Sequence, residues 1–124
     1  MERQNIPSNG PFEARFGYSR AVRVGNQIHV AGTCAQPPYD TGDAYEQATG
    51  ALGIIKGALE AAGARMSDVV RTVVYITDTA HAEGVTQAHG ETFGGIMPAS
   101  TMVVVVALLK PHLYVEIEAY AIIA

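Results

Sequence analysis

Residues Pro98 to Ala124, PASTMVVVVALLKPHLYVEIEAYAIIA, decide the architecture. From Met102 to Ala107 every residue is apolar, so a strand through this run shows hydrocarbon on both faces and needs cover on both. Beyond Lys110-Pro111 the pattern changes. Between Tyr114 and Ile122, Val115, Ile117, Ala119 and Ala121 point one way, while Glu116, Glu118 and Tyr120 point the other. One face is therefore core, and the other carries water or chemistry.

Working outward, Ala21 to Val24 and Gln27 to Val30 flank Gly25-Asn26, a two-residue loop whose twist suits a hairpin. Residues 37–42, PPYDTG, end the second strand in a turn. Asp43 followed by Glu46 predicts a capping box that opens a helix to Ala62, with Gly63 at its end. Ala48, Ala51, Leu52, Ile55, Leu59 and Ala62 form its apolar stripe, and Gly50, Gly53 and Gly57 are expected to let it approach the sheet closely. Val69 to Ile76 is a β-branched strand, Ala80 to Phe93 a second helix stopped by Gly94-Gly95, and Thr101 to Ala107 the next strand. The predicted order is β-β-α-β-α-β-β: an α+β fold with one mixed sheet, in a single domain spanning 1–124 whose residues 1–17 form an extended arm.

Two helices, each about 10 Å wide, cover only one face of such a sheet. The all-apolar run leaves hydrocarbon on the uncovered face, so that face is expected to pack against further copies of the chain.

With 48% hydrophobic and 16% charged residues, the 124-residue chain has ample material for a core. Its net charge of −4, with eight scattered Lys and Arg, offers no footprint for nucleic acid. A single cysteine, Cys34, makes no internal disulfide and suits a reducing compartment. No apolar run approaches the roughly 20 residues that span a bilayer, and the N-terminus lacks a leader-like apolar segment. A cytoplasmic location without membrane partners is the expectation.

Four segments occur in matching order: Gly17-Tyr18-Ser19-Arg20-Ala21-Val22-Arg23-Val24-Gly25-Asn26, Val70-Arg71-Thr72 through Thr77-Asp78, Pro98-Ala99, and Val115-Glu116-Ile117-Glu118-Ala119. Together they resemble the RidA/YjgF family of imine and enamine deaminases. The resemblance implies a chorismate-mutase-like fold, a homotrimer with a central barrel, and small-molecule clefts between subunits. It also implies a pocket tyrosine at Tyr18 and, at Glu116, a glutamate that positions the attacking water. Four positions depart from the family's pattern. Ser100 stands where an arginine grips the substrate carboxylate, and Met102 replaces a cysteine. At the end of the second strand, Ala31 and Thr33 replace a serine and a glutamine. Serine cannot reproduce the bidentate grip of a guanidinium, each such bond being worth about 1.5–3 kcal/mol. Arg15, Arg20 and Arg71 are the cations that could take its place.

The expected catalytic pair is thus Glu116 and Tyr18, with Gly32, Thr33, Ser100, Thr101, Met102 and Phe93 as substrate-binding positions. Glu118 reads as a solvated strand residue, Phe93 also as core, and Cys34 as a small buried side chain. Ser100 has no general base near it in sequence. His81, His89 and Glu91 lack the four-residue histidine spacing of helical zinc sites, and neither metal nor other cofactor is expected. Two functions fit. One is a cofactor-free hydrolase or deaminase of a reactive imine, enamine or related metabolite; the other is a non-catalytic metabolite-binding or protein-interaction trimer.

Overall fold

A computed structural model of the chain describes residues 1–124. The elements are β1 (Arg3–Ile6), α1 (Glu13–Phe16), β2 (Ala21–Val24), β3 (Gln27–Thr33), α2 (Ala44–Ala61), β4 (Val69–Ile76), α3 (Ala82–Phe93), β5 (Ala99–Val104) and β6 (Val115–Ile122). They build one six-stranded sheet in the order β1-β2-β3-β6-β4-β5. Only β4 and β5 run parallel, as the α3 crossover between them requires.

The arm is more ordered than its composition suggests. Arg3 to Ile6 pair antiparallel with β2, and α1 is closed by Gly17 at φ 80, whose N–H bonds Glu13. A four-residue edge strand reading RQNI lacks the apolar alternation that would reveal it.

The predicted capping box is present: Asp43 accepts from the Glu46 amide at 2.9 Å, and its own amide donates to Glu46 at 3.1 Å. Ala48, Ala51, Leu52, Ile55 and Leu59 of α2 join Val85, Ala88 and Phe93 of α3 over the buried row Val115, Ile117, Ala119 and Ala121. The α2 glycines divide. Gly50 is buried against Tyr39 and Ala35, whereas Gly53 and Gly57 face outward with nothing within 4 Å of an added Cβ. Those two do not bring the helix to the sheet.

The all-apolar run is also re-placed. β5 begins at Ala99 and ends at Val104, and every residue of it is exposed in the single chain because it is the sheet edge. Pairing continues only through the Val105 amide to Ile76, and Val106 projects fully at 102% exposure. Pairing with β4 assigns the faces. Ser100, Met102 and Val104 align with Thr72, Val74 and Ile76 on the helix side, and Thr101 and Val103 with Val73 and Tyr75 on the bare side. The bare side also holds Glu116, Glu118, Tyr120 and the exposed Ile122, with Tyr75 opposite Glu116. No helix is long and apolar enough to cross a membrane.

Candidate functional site

Glu116 sits near the start of β6 on the bare side of the sheet, half-buried. What confronts it comes from a bulge in β3. Val30 pairs with Ala119 and Thr33 with Ile117, so β3 carries one extra residue between these pairs. The bulge keeps Thr33 on the helix side, buried at 1%, and turns Gly32 toward the carboxylate. A Cβ at position 32 would collide with Glu116 Oε2 and come within 3.0 Å of Cδ, so only glycine leaves the carboxylate its place.

The other carboxylate oxygen is held by Cys34, whose Sγ donates to Oε1 at 3.3 Å. Burial, and then the Glu116 charge, push the Cys34 thiol up to about 12, so it stays protonated as a donor and is no nucleophile. The sequence-based expectation of a small buried side chain therefore misses its polar role. Its partner lies 82 residues away in the chain.

Arg20 ties the bulge to Tyr18. Its guanidinium donates to Gly32 O at 3.0 Å and Thr33 Oγ1 at 2.8 Å, and through its other terminal nitrogen to Tyr18 Oη at 3.3 Å. The Thr33 hydroxyl in turn donates to Ala31 O at 2.7 Å. Tyr18, Arg20, Gly32, Thr33, Cys34 and Glu116 thus form one contiguous wall. Of the three arginines that could replace the missing cation, Arg20 is built into it, while Arg15 and Arg71 are exposed elsewhere.

A buried glutamine sets the ends of this wall. Gln47 of α2 is fully buried, donates to the carbonyls of Asp40, Gly42 and His112, and accepts from the Tyr114 amide at 2.8 Å. It therefore fixes the chain immediately before Glu116. A polar residue inside an apolar helical stripe was its only sequence signal.

The remaining positions lie elsewhere. Ser100 and Met102 are on the helix side of the edge strand, and Thr101 is on its bare side. Ser100 is separated from Glu116 by two strand spacings and three residues, roughly 14 Å, and by the sheet itself. A single chain does not bring them together. Phe93 is core at 2% exposure, with its ring 4.6 Å from His89. His89 in turn bonds Thr72, which bonds Ser100, a base supplied by the fold where the sequence shows none nearby. His81 stacks on Tyr114 at 4.2 Å, and Glu91 accepts from Tyr45, so His81, His89 and Glu91 serve different partners. Glu118 accepts from Tyr75 at 3.1 Å and Tyr120 at 2.9 Å, a structural arrangement on the bare face.

Comparisons with known proteins agree on the family. The sequence profile described as Endoribonuclease L-PSP matches residues 9–123. A solved member of the YjgF/YER057c/UK114 family from Mycobacterium tuberculosis superposes with a TM-score of 0.92 at 43% identity, over 98% of this chain and 100% of that one. A RutC family protein of Pyrococcus abyssi is 40% identical over 111 residues, 84% of each chain. A 2-iminobutanoate/2-iminopropanoate deaminase of Dermatophagoides farinae is 33% identical over 110 residues, covering 86% of this chain and 85% of its own. With its α+β sheet, its motifs in order and a profile match across nearly its whole length, the chain belongs to the Endoribonuclease L-PSP family, also called YjgF/RidA.

Proposed function

We propose that the protein is a cofactor-free hydrolase that deaminates a small reactive imine or enamine in clefts between copies of the chain, in the cytoplasm. One observation carries this reading. Glu116 is a half-buried carboxylate with one oxygen held by Cys34 and the other facing the side-chain-free surface of Gly32. Such a carboxylate is oriented to take a proton from a water poised beside it. Tyr18, fixed by Arg20, offers its hydroxyl to orient the ligand, and Gly32 lines the approach, while the buried Thr33 holds Arg20 from behind. Ser100, Thr101 and Met102, on the exposed edge strand, reach this wall from a second copy within a homotrimer whose bare sheet faces pack together. The exposed Val24, Val103 and Ile122 on that face support the packing. The named deaminase among the relatives supports the reaction class.

The test is ammonia release from freshly generated 2-iminobutanoate. Wild-type protein should accelerate it well above uncatalysed hydrolysis, and Glu116→Gln should lower turnover by about 10²-fold or more while leaving the assembly unchanged. Full turnover in that variant removes the role given to Glu116.

A second reading, a binding-only trimer, is favoured by Ser100 at the position where the family's deaminases carry the arginine. Saturable binding of 2-oxobutanoate without any turnover of the imine would select it.

A further inference from the structure

Ser100, Thr72 and His89 form a hydrogen-bonded line that the role of Glu116 leaves unused. Thr72 Oγ1 lies 2.8 Å from His89 Nε2 and 2.7 Å from Ser100 Oγ. Thr72 is buried at 0% exposure, Ser100 is exposed on the edge strand, and His89 is half-buried against Phe93. The line thus runs from a hydroxyl open to a ligand, through one that water does not reach, to an imidazole.

The middle hydroxyl has one proton and two neighbours, so its bonds take one of two directions. In one, His89 Nε2–H donates to Thr72, Thr72 to Ser100, and Ser100 donates outward. In the other, Ser100 donates to Thr72, Thr72 donates to His89 Nε2, and Ser100 accepts from outside. A neutral imidazole satisfies either direction through its choice of tautomer. Burial holds His89 below the ordinary histidine range, so at pH 7 the ring is neutral and can receive a proton.

We propose that His89 is the proton acceptor for Ser100, acting through Thr72, so that Ser100 exchanges a proton with the bound ligand. The proposal deepens the imine-hydrolase reading and rests on it. Glu116 takes a proton from water as the water oxygen bonds the carbon of a protonated imine, and returns that proton to the nitrogen of the resulting carbinolamine. The carbinolamine O–H proton then moves to Ser100 Oγ, the Ser100 proton to Thr72 Oγ1, and the Thr72 proton to His89 Nε2. The freed O–H electron pair closes the C=O bond as the C–N bond breaks. Its electrons leave with ammonia, and the imidazolium later loses its proton to solvent. Ser100 touches the ligand, while Thr72 and His89 are positioning residues. At this position a family arginine provides fixed positive charge, whereas a relay ending in neutral imidazole provides proton transfer.

Thr72→Val keeps the shape and removes the hydroxyl, and Thr72→Ser keeps the hydroxyl. On 2-iminobutanoate, Thr72→Val should lower kcat by about 10²-fold with KM within about twofold, and Thr72→Ser should restore it. His89→Phe should match Thr72→Val and add nothing to it in the double variant. In parallel, the imidazole 15N signals of His89 should move in Thr72→Val and return in Thr72→Ser. Wild-type kcat in Thr72→Val overturns the relay and leaves the imine reading standing. Unchanged imidazole signals overturn it whether or not the protein is active. A wild-type protein that does not act on the imine sinks the proposed function and this catalytic use together, even where the imidazole signals move.

Discussion

Cys34 shows how a single side chain acquires a role from its surroundings. Its thiol is raised from an ordinary 9.0 to about 12 by burial and by the Glu116 charge. Folded protein at pH 8 should therefore react with iodoacetamide about 10³-fold more slowly than the urea-unfolded chain, followed by mass spectrometry. A rate equal to that of the unfolded chain would show that the thiol is not held on Glu116. Gly32 makes the complementary case. Gly32→Ala pushes a methyl group into the Glu116 carboxylate and swings that flexible side chain off Cys34, so turnover should fall by about 10²-fold while stability in denaturant unfolding changes by less than about 1 kcal/mol. Glu116 and Tyr18 were singled out by the family resemblance, since strand alternation alone places Glu116 on a face of water or chemistry and Tyr18 carries no pattern of its own. The contacts of Cys34, Arg20, Thr72 and His89 were not legible, since their partners lie 82, 13, 28 and 17 residues away and are met only after folding.

Helix α2 was the most readable element, because its start, stripe and end each carry a local signal. Asp43→Ala removes the capping box and should cost about 1 kcal/mol, while Gly57→Ala fills open space on the helix surface and should add about 0.4–1 kcal/mol. Thermal unfolding of the two variants should move in opposite directions. A lower melting temperature for Gly57→Ala would mean that the outer face of α2 is covered in the native assembly. The strands were less evenly readable. The Met102 to Ala107 run announces a strand, but an unbroken apolar sequence has no period from which to place its ends or choose its buried side. β1 was invisible for the opposite reason, since its four residues carry almost no apolar signal.

For the whole molecule, the bare face decides whether the chain functions alone. Wild-type protein should sediment as a trimer at micromolar concentration, and Val103→Lys, which places charge on the exposed part of that face, should shift it toward monomer and lower turnover with it. The separation of Glu116 and Ser100 on opposite sides of one sheet extends this reasoning from assembly to inheritance. If each cleft borrows one cluster from either neighbour, two differently damaged chains can repair one another. Co-refolding inactive Glu116→Ala with inactive Ser100→Ala in equal amounts should regenerate intact clefts at about one in four positions, by random mixing around the ring. Genetic complementation between two dead alleles of this one chain would follow.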